Sequence, residues 1–200
     1  MKATLLLLSF VAGLTVARAQ QEVPRVEALR VAFLISADLK QMLDTPIPTD
    51  PDVKRPVALR DGEHGALVFP EARLTAESVR KAGKAVSPIG QLWLRKLVPQ
   101  SNGKGASSDQ LRLVTVAAGD RSETAVLCAL GVRRVSAREL ELLVYGSGKE
   151  PLLKVPLKEV SASPQENPIQ LAAVVQAENV VLTLKVAGKY EAGVTLVPEQ

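Results

Sequence analysis

The chain has 200 residues, a formal net charge of +4 and a hydrophobic content of 46%, which suits one domain with a substantial core. Its basic residues are dispersed, which argues against nucleic-acid binding, since that function needs a continuous basic stripe. A single cysteine excludes an intrachain disulfide. A total of one histidine and one cysteine is too few for a typical zinc site.

The first 19 residues have the pattern of a secretory signal peptide. Lys2 supplies the positive start, residues 4–16 are apolar but shorter than the roughly 20 residues of a transmembrane helix, and residues 17–19 (Ala-Arg-Ala) form a cleavage site. The alternative is a buried core helix. We expect export to the periplasm or the cell exterior, no integral membrane segment after cleavage, and a single domain over residues 20–200. Cleavage lowers the net charge from +4 to +2.

The first half of the exported chain predicts a mixture of short elements. Residues 29–35 alternate in hydrophobicity and predict a buried strand. Four prolines within residues 45–56 predict a loop. Residues 56–60 and 66–69 predict two short strands around the sequence DGEHG, whose glycines supply the positive φ of a tight reversal. Residues 74–86 predict one short helix, because an acid near its start and bases near its end complement the helix dipole.

The second half predicts strands almost without interruption. A strand over residues 90–98 precedes a polar, glycine-rich loop over residues 101–109. The strands predicted after this loop are 110–118, 124–132, 139–146, 151–160, 169–177, 179–187 and 190–198. Strands spaced about ten residues apart with Gly, Asn and Asp turns are typical of sandwiches and barrels. We therefore predict an all-β, mainly antiparallel β-sandwich with an immunoglobulin-like or jelly-roll layout and one short helix.

The only histidine, His64, is expected at a hairpin tip beside Asp61 and Glu63. One imidazole with carboxylates suits a transition metal, so these three residues are the candidate metal ligands. The alternative is an ordinary solvated loop. Cys128 lies in an apolar run, which predicts a buried hydrophobic side chain and argues against a Cys–His nucleophile pair. We expect no cofactor.

The aromatic residues are few, and two of them are candidate ligand-binding residues. Trp93 lies between leucines and is predicted in the core. Tyr145 and Tyr190 lie near glycines at strand ends, where planar rings can contact sugars; packing at the core rim is the alternative. The basic stretch over residues 80–84 can meet an acidic polymer or form an ordinary solvated helix face.

Two functions of different classes fit these observations. Export, a β architecture and the scarcity of catalytic residue types favour a non-catalytic binding or structural module of the cell envelope, whose partner is an envelope protein or a glycan. The alternative is a secreted, carboxylate-dependent hydrolase of polysaccharides, which needs two facing acids roughly 5–10 Å apart. The candidate acids are Glu71, Glu139, Glu141 and Glu191.

Overall fold

The structure is a computed structural model that describes residues 21–118, 120–177 and 179–199. The predicted signal peptide over residues 1–19 lies outside these residues. The strands are β1 Gln21–Glu22, β2 Val57–Asp61, β3 His64–Pro70, β4 Ser87–Arg95, β5 Leu97–Ser101, β6 Lys104–Gly105, β7 Arg112–Ala118, β8 Arg121–Arg134, β9 Leu140–Tyr145, β10 Leu153–Glu159, β11 Ile169–Gln176, β12 Asn179–Val186 and β13 Tyr190–Pro198. The helices are α1 Arg25–Ser36, α2 Leu39–Leu43 and α3 Ala76–Arg80.

The strands form one 13-stranded antiparallel sheet. Its main order is β1-β2-β3-β4-β8-β9-β10-β13-β12-β11, with β7 added to β8, and β5 and β6 added beside β13. The sheet curls until β11 approaches β2, so that it nearly closes into a barrel-like shape. The all-β, mainly antiparallel fold predicted from the sequence is confirmed, and its shape fits both a sandwich and a barrel description.

At Lys96 the chain crosses from one side of the barrel-like sheet to the other. β4 pairs with β3 and β8, whereas β5 pairs with β13. Between these strands Lys96 adopts a φ of +56°, a left-handed conformation that is uncommon outside glycine. The kink divides the single strand predicted over residues 90–98 and carries the chain across the structure, as strands do at the corners of packed sheets.

The inner core fills the space enclosed by the sheet. Leu92, Cys128, Leu142, Leu182 and Val194 are fully buried within it. Burying a leucine or valine side chain contributes about 1.5–3 kcal/mol, so this cluster is the main source of stability. The predicted burial of Cys128 is confirmed, and desolvation raises the pKa of its thiol to about 12, which leaves the thiol protonated and inert at neutral pH.

The strand predicted over residues 29–35 is wrong, because this segment lies within helix α1. Ala28, Ala32 and Ile35 are spaced along one helical face and are the buried residues of α1. The apparent two-residue alternation would have buried Val31 and Phe33, which are 40% and 76% exposed. A short apolar run fits either period, and the small alanines let the helix approach the sheet. The described part of the chain thus has three helices, where one short helix was predicted.

The segment over residues 23–53, here called the N-terminal cover, packs on the outer face of the sheet. Its helices contact a second core that includes Phe69 and Trp93, whose rings meet edge to face. Gln91 is fully buried at this contact. Its Nε2 donates to Met42 O and to Thr49 Oγ1, both at 2.8 Å, and its Oε1 accepts from Trp93 Nε1 at 3.2 Å. Gln91 therefore fixes the cover to the sheet.

Helix α3 plugs one end of the barrel-like sheet. The side chain of Thr75 accepts a hydrogen bond from the Ser78 backbone, and Ser78 Oγ accepts one from the Thr75 backbone, a reciprocal cap that starts the helix. Val79 packs into the inner core. The helix is shorter than the predicted 74–86 segment, ending at Arg80. We call this side of the molecule the α3 end and the opposite side the open end.

Candidate functional site

The open end contains a cavity of about 1070 Å³, here called the open-end cavity. Leu97, Val98, Leu111 and Val180 form its floor and are themselves buried in the inner core. β5, β6, β7, β11, β12 and β13 all contribute to its wall. The cavity therefore combines an apolar floor, formed where the barrel interior reaches the surface, with strand ends that are far apart in sequence.

A tight hairpin between β5 and β6 forms one side of this cavity. Its turn residues Asn102 and Gly103 have φ values of +53° and +78°, and an Asn-Gly pair with two positive φ angles defines a type I′ turn. A Cβ on Gly105 would lie 3.0 Å from side-chain carbons of Val98 and Val197. The hairpin thus packs closely on β13. Its turn and β6 lie in the segment over residues 101–109 that was predicted to be a loop.

Asp61 and His64 lie together on the rim of the open-end cavity. They face each other in the register of the β2–β3 hairpin. Each lies two residues from an inner-core residue, Leu59 or Ala66, and so on the same face of its strand. The reversal predicted over residues 61–65 is present but tighter, because only Gly62 and Glu63 separate the strands, with Gly62 at a φ of +58°. The sequence thus identified two rim residues of the cavity, although for a different chemistry.

The candidate metal ligands do not converge as a metal centre in this structure. Glu63 is an exposed turn residue between Asp61 and His64. Within residues 21–118, 120–177 and 179–199, no three His, Cys, Asp or Glu side chains are grouped closely enough to hold a metal ion. What the structure brings together at this hairpin is one imidazole and one carboxylate beside a cavity.

The two candidate ligand-binding tyrosines lie in different layers. Tyr145 is 4% exposed and packs on the outer face with Ala129 and Leu143 beneath Ile47, and burial raises the pKa of its phenol. Tyr190 begins β13 at the α3 end, is 2% exposed, and packs its ring into the inner core. Neither ring offers an open face for stacking on a sugar.

Two of the four candidate acids have partners of their own. Glu71 Oε1 accepts a 2.6 Å hydrogen bond from the Asp50 backbone, and burial raises the pKa of Glu71. Glu141 binds Arg133 at 2.9 Å. Neither of these acids, nor Glu139 or Glu191, lines the open-end cavity. The carboxylates on its wall are instead Asp61 and Glu199.

A smaller groove of about 240 Å³ runs between α1 and the outer face of the sheet. Ion pairs stand at its edges: Glu27 with Arg60 at 2.7 Å, and Arg95 with Glu123 at 2.8 Å. Sequence reasoning missed this groove because it placed the α1 segment inside the sheet as a strand. The groove has about a quarter of the volume of the open-end cavity.

Together the fold and this geometry define an all-β protein with a barrel-like sheet, plugged at one end by a helix and hollow at the other. No family model matches the chain, and no curated protein or solved structure matches it significantly. Among the residues that the structure describes, no helix has both the length and the apolar character needed to cross a membrane.

Proposed function

We propose that this protein is an exported, non-catalytic binding module of the cell envelope and that its ligand enters the open-end cavity. The observation that carries the proposal is the cavity itself, with about 1070 Å³ of space at the mouth of a barrel-like sheet. Ligand sites in proteins favour such mouths, with apolar walls and a few polar groups. Export rests on the signal-peptide pattern of residues 1–19.

The lining indicates a ligand with an apolar body and a polar head. Leu113 and Val175 offer accessible apolar surface. Asp61, His64 and Lys104 supply charged and hydrogen-bonding groups at the rim. An apolar body gains about 25 cal/mol per Å² of surface that it buries. The polar rim groups then fix the orientation of the head, as they do in most small-molecule sites.

Leu113→Lys is expected to weaken binding in the open-end cavity about fivefold. Leu113 lines the cavity and is 47% exposed, so the exchange leaves the fold intact but removes about 1 kcal/mol of apolar contact. The measurement is titration with Nile red, a neutral probe whose emission brightens and shifts to the blue in apolar sites.

Val174→Lys is the matched control for this experiment. Val174 is 39% exposed on the neighbouring part of β11 and does not line the cavity, so this variant is expected to bind Nile red like the wild type. Equal weakening by both exchanges, or no saturable binding by the wild type, would contradict the proposal. Affinity capture from the native envelope fraction, with the Leu113→Lys protein as the negative bait, then identifies the natural ligand.

A second candidate function is a secreted, carboxylate-dependent hydrolase of polysaccharides. It is favoured by one observation, namely that Asp61 and Glu199 line the same cavity. A glycosidase would place one acid as proton donor and the other as nucleophile or base. Under the binding proposal, we expect the wild type, Asp61→Asn and Glu199→Gln to release no reducing ends from a panel of envelope polysaccharides. Release by the wild type that either exchange abolishes would replace the binding module with the hydrolase.

A further inference from the structure

The α3 end contains a second cavity, of about 640 Å³, on the opposite side of the barrel from the open-end cavity. We call it the α3-end cavity. It lies between the end of α3, the β8–β9 loop and the first residue of β13. Four of its wall residues are basic and one is acidic. They are Arg80, Lys81, Arg134, Arg138 and Glu159.

Tyr190 supplies an unusual polar group to this cavity. Its ring is 2% exposed within the inner core, yet its hydroxyl makes no hydrogen bond with any residue that the structure describes. A buried tyrosine hydroxyl usually finds a partner. The hydroxyl is also not among the side-chain atoms sealed from solvent without a partner, so it reaches the space of the cavity. It is therefore a fixed donor without a protein acceptor.

Two guanidinium groups add positive charge that no described carboxylate neutralises. Arg134 is held rigidly, because it donates to the carbonyls of Arg80 at 2.6 Å, Ala82 at 3.1 Å and Ala137 at 3.2 Å. These acceptors are neutral, so the charge of Arg134 remains. Arg138 lines the same wall, and its side chain forms no ion pair within the described residues.

The remaining charges are only partly balanced, because two cations share one carboxylate. Arg80 and Lys81 share Glu77, at 2.7 Å and 3.1 Å. Glu159, the one acid on the wall, is bound by Lys189 at 3.0 Å. The local excess is thus positive, and Arg134 and Arg138 line the same cavity as Tyr190. The cations that interact electrostatically with the Tyr190 phenol are Arg80 and Lys189. Arginine recognises phosphate through paired N–H donors, and a tyrosine hydroxyl donates readily to an anionic oxygen.

We propose that the α3-end cavity is an anion site that binds a phosphate group, either as inorganic phosphate or as a phosphate monoester. Tyr190 donates a hydrogen bond to a phosphate oxygen, Arg138 supplies the mobile charge, and Arg134 forms a fixed positive wall. Inorganic phosphate and a phosphorylated sugar share this chemistry and differ only in whether the sugar adds contacts. The site is separate from the open-end cavity, so it does not depend on the function proposed for that cavity.

The test uses the two tyrosines of the chain as a matched pair of reporters. The full exported chain is labelled with 3-fluorotyrosine and titrated with inorganic phosphate, and in a second arm with glucose 6-phosphate, at constant ionic strength because salt screens exposed charges. The Tyr190 fluorine resonance, assigned with Tyr190→Phe, is expected to shift saturably with a dissociation constant of about 1 mM. The Tyr145 resonance, from the opposite layer of the sheet, is expected to stay unchanged.

Four variants complete the test by isothermal calorimetry with the same two ligands. Arg138→Gln is expected to weaken binding about tenfold and Tyr190→Phe about threefold, the range for charged and neutral hydrogen bonds. Glu159→Gln is expected to tighten it about threefold, since it removes the opposing charge. Arg121→Gln, an exposed residue at the β7–β8 turn, is the control and is expected to bind like the wild type.

The folding of each variant is checked by circular dichroism, and Tyr190→Phe keeps the buried ring, so it preserves the core. Tighter binding of glucose 6-phosphate than of phosphate identifies a sugar phosphate as the ligand, and equal binding identifies the phosphate group alone. Both results support an anion site. A linear, unsaturable shift, or equal weakening by Arg121→Gln and Arg138→Gln, overturns the proposal, because either result means diffuse attraction to a basic surface.

Discussion

Gly90→Ala is expected to lower the free energy of unfolding by about 3 kcal/mol or more. Gly90 adopts a φ of +150° next to a bulge in the pairing of β4 with β8. A Cβ there would lie 2.2 Å from the carbonyl oxygen of Phe69 and 3.1 Å from Cα of Pro70. An alanine must therefore separate β3 from β4 at the point where both strands enter the core. The decrease in the free energy of unfolding is measured by chemical denaturation, with circular dichroism as the signal.

Gly83→Ala is the matched control for this exchange. Gly83 has no positive φ, and nothing lies within 4 Å of a Cβ built on it. Its replacement is expected to leave stability unchanged or to raise it by about 0.4–1 kcal/mol, because alanine narrows the unfolded ensemble. If the two variants unfold at the same denaturant concentration, then β3 and β4 do not approach each other at Gly90 as closely as the structure describes.

Gln91→Leu is expected to cost about 2–4 kcal/mol and to loosen the N-terminal cover. The exchange keeps the volume of the side chain but leaves the carbonyl of Met42 and the indole N–H of Trp93 without partners, and each buried orphan costs about 1–3 kcal/mol. Trp93 is the only tryptophan, so its emission is expected to shift to the red as the cover admits water. Hydrogen exchange over residues 23–53 is expected to quicken.

Gln176→Leu provides the comparison, because Gln176 is an exposed residue of β11. Exposed substitutions usually change stability by less than about 0.5 kcal/mol, and no change in Trp93 emission is expected. Unaltered exchange over residues 23–53 in the Gln91→Leu protein would show that apolar contacts of Ala28 and Ala32, rather than the amide of Gln91, hold the cover in place.

The β-rich part of the fold could be predicted because it is built from hairpins. Each strand from β7 to β13 pairs with a sequence neighbour or ends near a turn rich in glycine or asparagine, so local alternation and local turn residues carried the information. The strand prediction for the α1 segment was wrong for a specific reason. Its apolar residues satisfy both a two-residue and a helical period, and only tertiary packing of Ala28 and Ala32 on the sheet decides between them.

The candidate sites were predictable only where the sequence places their residues side by side. The β2–β3 hairpin brings Asp61 to His64 through a two-residue turn, so these two residues were found together. Leu113 on β7 and Glu199, which follows β13, reach the same cavity although they lie 86 positions apart in the chain. That meeting depends on the crossing of the chain at Lys96 and on the order of the strands, neither of which leaves a local pattern.

The burial of Trp93 and Cys128 on opposite faces of paired strands gives the molecule two native reporters of different events. Trp93 lies under the cover, whereas Cys128, opposite Leu92 in the strand pairing, is sealed inside the barrel. Trp93 fluorescence therefore reports detachment of the N-terminal cover, and the rate of Cys128 alkylation reports opening of the barrel interior. Comparing the two time courses in denaturant reveals whether the helical layer departs first or whether the entire polypeptide unfolds in one cooperative step.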